Sequence, residues 1–241
     1  YDDEPLCPGV VSRFRNLLHH HTHAAHPGPA VTFWSGCGAI LRSRFLDLGG
    51  FDEGFRFPSV EDIELGMRIT AAGGRILLDP AIRCKHAKSW SLASMIYTDV
   101  VHRARPWTRL IASRRLLAPV LNVDWRGRSS GVLAVLAVVM ALAAIRWPSA
   151  GWWAAGCLAG VVALNAGFYR LCLQKRGPVF MLAAIALHWL YFVYSSLTFG
   201  VILVAELLNP SGTLRACDHP AFPPSPSPWS GDRGERSLGP R

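Results

Sequence analysis

Ser59-Val60-Glu61-Asp62-Ile63-Glu64-Leu65-Gly66-Met67-Arg68-Ile69 decides how the polar half of this chain is read. Leu65 and Ile69 recur at helical spacing, which predicts a helix with those two residues facing a core. Ser59 is placed to cap it, with Asp62 three residues on as the reciprocal partner. Glu61 and Asp62 then fall in the first turn, where the helix dipole favours negative charge. Pattern alone leaves two readings of these acids open: capping residues, or a carboxylate pair with chemistry to do. Gly73-Gly74 ends the helix.

Working outward, Thr32–Trp34 and Ala39–Leu41 have the bulk of a strand, interrupted at Gly36-Cys37-Gly38. Glycines there mark a bulge or a place where another molecule or backbone comes close. Arg42–Leu48 predicts a short helix closed by Gly49-Gly50, and Phe51–Phe55 a turn. Downstream, Arg75–Asp79 and Ala81–His86 read as two strands hinged at Pro80. Upstream, Val11, Phe14, Leu17 and Leu18 have helical spacing on a segment that also carries His19, His20, His21, His23 and His26. His19 and His23 share a face and could hold a metal. A polar face lining a site or the membrane surface is the better reading.

The second half is different in kind. Of 241 residues, 51% are hydrophobic and 17% charged, against roughly 25% charged in a typical soluble chain. That excludes a chain disordered throughout. Between Gly131 and Leu208 the one acid is Glu206. Three apolar blocks, at 130–147, 150–169 and 179–208, predict three transmembrane helices, the last long enough to tilt or protrude. His188 lies inside the third, where a neutral imidazole bonded to a neighbour is expected. Arg126 and Arg128 precede the first block, and Arg170, Lys175 and Arg176 lie between the second and third. The other turn has only Arg146. The positive-inside rule then predicts a multi-pass protein of the cell membrane, its polar half cytoplasmic and its C-terminus outside.

The net charge is +9. From Arg103 to Arg128 runs a juxtamembrane basic segment, suited to membrane lipids or phosphates. No aromatic-rich RNA-binding signature accompanies it, so nucleic acid is not expected as a partner. The six cysteines form no CxxC pair and predict reduced thiols. The expected organisation is a catalytic part at 1–102, a basic interfacial segment at 103–129, membrane helices at 130–208, and a disordered Pro/Ser-rich tail at 209–241.

The ordered set Phe33-Trp34-Ser35-Gly36-Cys37-Gly38-Ala39, Gly49-Gly50-Phe51-Asp52-Glu53, Val60–Arg68 and Cys84-Lys85-His86 resembles the second half of a family 2 glycosyltransferase with the GT-A fold. Arg103-Ala104-Arg105-Pro106-Trp107 resembles, more loosely, the arginine-tryptophan motif of membrane synthases in that family, without its leading Gln. The fold class this implies is α/β, a partial GT-A-like catalytic half followed by the three transmembrane helices.

The resemblance implies inverting transfer from a nucleotide-sugar donor to a lipid-linked or glycan acceptor. Asp62 matches the general base, with Glu61 beside it. A sugar hydroxyl is a poor nucleophile at neutral pH, and a carboxylate within ~3 Å can take its proton as the anomeric carbon is attacked. Gly36, Cys37 and Gly38 would let substrate approach. His86 matches a position where some relatives place a ligand to a divalent metal, Mn or Mg. Arg103, Arg105 and Trp107 would hold diphosphate and acceptor, or form a basic interfacial helix with the arginines that follow. No Asp-x-Asp metal motif occurs, and the chain opens Tyr-Asp-Asp-Glu without Met. A fragment lacking the donor-binding half, and inactive alone, is therefore expected. A membrane-anchored, non-catalytic scaffold of a glycan-assembly system is the alternative.

Overall fold

The computed structural model describes residues 1–55, 60–104, 106–108, 110 and 124–208, the side chains of residues 206 and 207 excepted. Ser59, Arg105, most of the basic interfacial segment and the 209–241 tail lie outside these residues. In order, the chain forms α1 (Val10–Ala25), β1 (Gly28–Ala30), a 3₁₀ turn (Ser35–Cys37), α2 (Arg42–Asp47) and α3 (Glu61–Ala71). There follow β2 (Ile76–Leu78), α4 (Leu92–Tyr97) and a π-helical turn (Thr98–Ala104), then α5 (Trp125–Ala143), α6 (Ala150–Leu164) and α7 (Ala166–Leu208).

The α/β expectation is corrected. Among the described residues the strands are β1 and β2, three residues each and antiparallel, with Pro29 opposite Leu77. A strand persists where a neighbour completes its ladder. Among the described residues that happens only where 28–30 runs beside 76–78. Residues 81–86, expected as a strand, are irregular, as are 39–41, and Ser35–Cys37 is a helical turn. A large GT-A-like α/β half is not seen; the fold is predominantly helical.

The helix ends follow local chemistry. Gly49 and Gly50 end α2 with φ of 81° and 72°, and Gly73 follows α3 with φ 77°, the left-handed region that glycine enters without strain. Arg68, buried in α3, clamps this region together. Its Nε donates to both Glu64 oxygens at 2.9 and 2.8 Å, and its Nη1 and Nη2 reach the carbonyls of Leu48 and Gly50 at 2.5 and 2.7 Å. Gly66 sets the height of α3: a Cβ there would come within 3 Å of the Thr32–Phe33 backbone.

α1 docks the polar half on the last helix. Phe14 and Leu17 are fully buried with Trp90, Met95, Phe168, Cys172 and Ala184. A second cluster joins Ala134 of α5, Val161 of α6 and Phe192 of α7. α5 and α7 are long and apolar enough to cross a membrane, and only 22% of the most apolar stretch of each is buried. α6, with 15 residues, is roughly 22 Å long, short of a ~30 Å hydrocarbon core. Of the three apolar blocks, two thus give helices with the length and composition of a span, and the one between them gives a shorter apolar helix. α7 breaks at Gly177 (φ 81°) before Pro178, so its last stretch starts anew as a separate helix. The Tyr169 hydroxyl lies 3.2 Å from Nδ1 of buried His188, the neighbour expected for that imidazole.

Candidate functional site

A cavity of about 280 Å³ opens between α1, the 3₁₀ turn, the N-terminus of α3 and the loop before α4. Asp62 and Glu61 line it from the start of α3, Gly36 from the 3₁₀ turn, His86 from the loop, and Arg103 from the π turn. Five of the residues singled out in the sequence therefore meet in one place. Cys37, Gly38 and Trp107 are outside the lining. Cys37 and Trp107 are half-buried nearby in sequence, and Gly38 is exposed. A Cβ on Gly36 or Gly38 would come within 3 Å of the Trp34 or Phe33 ring. These glycines therefore serve the close folding of their own turn.

Asp62 is held from two sides. Its Oδ1 accepts the Ile63 amide at 2.8 Å. Its Oδ2 accepts the Ser35 amide and hydroxyl at 3.3 and 3.4 Å. The latter are long bonds, weak enough to exchange for a substrate hydroxyl. Burial raises the carboxyl above the usual range and Glu61 beside it raises it further, while the Ser35 and Ile63 donors pull the other way. A carboxylate so placed is a stronger base than a free one.

One wall is aromatic. The Tyr1 ring lies in the cavity, stacked on Trp34 at 4.4 Å and on His19 at 5.0 Å between centroids. His86 is 4.9 Å from it and His23 5.8 Å. Burial keeps His19 well below its ordinary pKa and pushes His23 down to about 4. His86 is lowered by burial and by Lys88 and Arg103. These imidazoles are neutral near pH 7 and act as flat surfaces.

Part of the lining is cationic and was only partly legible in sequence. Arg15 of α1, Lys88 and Arg103 line it. Arg15 sits over the rings of Trp90 and Tyr191, each 5.7 Å from its guanidinium carbon. Its Nη2 donates to Asp99 Oδ1 at 2.5 Å, and Arg103 Nη1 reaches the same oxygen at 3.4 Å. Tyr194 of α7 donates to Asp99 Oδ2 at 2.7 Å. The π turn, with its extra residue, is a geometry common at functional sites. Arg15 and Asp99 were missed because a buried charge has no local signature. Lys88 sits 4.2 Å over the Trp90 ring. The Trp90 amide donates to Ser12 Oγ at 2.9 Å, which fixes the loop on α1.

Among the described residues no three His, Cys, Asp or Glu side chains converge as metal ligands would. The His86 ring lies 4.9 Å from the Tyr1 ring, and the charges of Lys88 and Arg103 disfavour its protonation.

No protein-family model matches the chain. No solved structure matches it either. Over 99 residues it is 34% identical to the O-antigen biosynthesis protein RfbC of Myxococcus xanthus, a stretch covering 41% of this chain and 7% of that protein. The chain thus spans a small fraction of that relative's length.

Proposed function

We propose that this chain is part of a membrane-bound, inverting glycosyltransferase of family 2, working in polysaccharide biosynthesis. The observation that carries the reading is the placement of Asp62. Its carboxyl, whose pKa burial raises, lines a cavity together with Gly36, His86 and Arg103, residues of the motifs that resemble family 2 glycosyltransferases. The similarity to a protein named for O-antigen biosynthesis supports the same class of chemistry.

On this reading Asp62 takes the proton of an acceptor hydroxyl as its oxygen bonds to the anomeric carbon of a nucleotide-sugar. The bond from that carbon to the diphosphate breaks, and the nucleoside diphosphate leaves. Glu61 shapes the field at Asp62. Trp34 and the neutral imidazoles offer faces for a ring. Arg103, with Arg105 and Trp107 of the same motif, contributes charge and stacking toward diphosphate and acceptor. The acceptor is lipid-linked or a glycan. The donor is bound by a segment other than this one, so the chain alone is inactive. A divalent metal, Mn or Mg, belongs to the reading of the intact enzyme. His86 would need ligand partners from beyond the described residues, and no step is drawn through the metal. The protein sits in the cell membrane as a multi-pass chain, catalytic part cytoplasmic and C-terminus outside.

The test is transfer of radiolabelled sugar from nucleotide-sugars in membranes expressing the gene that encodes this chain. Asp62→Asn should lower kcat at least a hundredfold with little change in KM, since general-base catalysis contributes 10²–10⁴. A loss of only a few-fold would remove Asp62 as the base.

A further inference from the structure

The cavity is electrically divided. Glu61 and Asp62 line it from the start of α3, and Arg15, Lys88 and Arg103 line it from α1, the loop before α4 and the π turn. Asp99, which accepts from Arg15 and Arg103, compensates only part of these three cations. Arg15 is 4% exposed, and its Nε, like that of Arg103, is buried with no hydrogen-bond partner among the described residues. A buried guanidinium donor without a partner is costly, and a phosphate oxygen is the acceptor that guanidinium geometry matches best.

The cationic end is also built on the membrane helix. Arg15 rests on Tyr191 of α7, and Asp99 is tied to Tyr194 of the same helix. Both tyrosines belong to a helix apolar enough to span a bilayer. The carboxylate end, by contrast, hangs on the Ser35 turn in the polar half. An acceptor whose phosphate is anchored in lipid and whose sugar extends into the polar half would lie along this axis, its ring against the aromatic wall.

We propose that Arg15, Lys88 and Arg103 hold the phosphate of a lipid-borne acceptor at the membrane side of the cavity. This deepens the glycosyl-transfer reading by choosing a lipid phosphate over a free glycan, and rests on that reading for its consequence. The binding itself is independent of transfer.

The experiment is equilibrium titration of the full chain in neutral detergent with farnesyl phosphate, farnesol and uridine diphosphate, with no sugar donor present. Farnesyl phosphate is expected to bind at least tenfold more tightly than either control. Lys88→Gln should weaken farnesyl phosphate about tenfold, the loss of one charge-assisted hydrogen bond, and leave farnesol binding and Tm unchanged. The exposed Lys88 can be replaced without disturbing the Arg15–Asp99 pair, so the variant should fold. Equal binding of farnesyl phosphate and farnesol, or wild-type affinity in Lys88→Gln, overturns the anion site. Uridine diphosphate bound as tightly as farnesyl phosphate overturns the lipid assignment and points to the donor's diphosphate instead. Because transfer is not measured, a failed transfer assay leaves these outcomes readable.

Discussion

Arg15 Nη2 and Asp99 Oδ1 are 2.5 Å apart, join positions 84 residues apart in the chain, and have side chains only 5% and 8% exposed. This pair ties α1 to the π turn, and through Tyr194 to α7, at the wall of the cavity. Removing one partner of a buried pair leaves the other charge stranded. Asp99→Ala should therefore cost about 3–5 kcal/mol of stability. The check is thermal unfolding in detergent by circular dichroism. Adding Arg15→Met to that variant should recover much of the loss, and no recovery would mean the pair is not the source of it.

Gly66 sets the distance between α3 and the Thr32–Phe33 backbone. Gly66→Ala should push the helix outward and cost roughly 1–3 kcal/mol, as overpacking does. It should also lower transfer by displacing Asp62 from Ser35. Gly156→Ala, where a Cβ would meet nothing within 4 Å, serves as the control and should unfold like the wild type.

His19 and His23 make the fold acid-sensitive. Both are held below 6.5, His23 at about 4, chiefly by burial. As pH falls from 6.5 to 4 the unfolded chain takes up protons that the folded chain refuses, so the unfolding free energy falls. Asp62 works in the opposite sense: its raised pKa favours the folded state as pH falls through that value toward 3.8. His21 and His86 are lowered by burial in the same way; with these histidines against one raised carboxyl, Tm should drop between pH 7 and pH 4.5, and His23→Gln should flatten the drop. The acid limb of the transfer rate should lie above 3.8 for the same reason that Asp62 is raised.

Orientation is open to a direct test. A reporter fused after Arg241 should signal from the exterior, because Arg126 and Arg128 precede the first apolar block and Arg170, Lys175 and Arg176 lie between the second and third, while the other turn has only Arg146. A cytoplasmic signal would reverse the proposed topology.

Glycosyl transfer by the intact protein should depend on divalent metal. His86→Ala should weaken the response to added Mn²⁺ or Mg²⁺, measured as the metal concentration giving half-maximal rate. An unchanged response would leave His86 as one face of the aromatic wall.

Much of the local structure was legible. Gly49, Gly50 and Gly73 mark helix ends because only glycine turns left-handed cheaply there. The Val11–Phe14–Leu17 spacing marks α1, whose Phe14 and Leu17 are indeed sealed from water. The strands were not legible. Bulky residues at 39–41 and 81–86 have strand propensity, but a strand is made by its ladder, and among the described residues the ladder is that of β1 and β2. Nothing near Arg15 or Asp99 in the sequence marks either as buried, because the pairing joins positions 84 residues apart.

Residue order alone settles what depends on neighbours a few positions away: the helical periodicity, the left-handed glycine stops, and the long uncharged runs of α5 and α7, because backbone sterics and the cost of charge in hydrocarbon act locally. Only the folded chain brings Asp62 beside Ser35, sets Trp34 and His19 around the Tyr1 ring, and buries Arg15 against Asp99 and Tyr191. Those contacts join segments dozens of residues apart, and their strength comes from exclusion of water, which no single stretch achieves by itself.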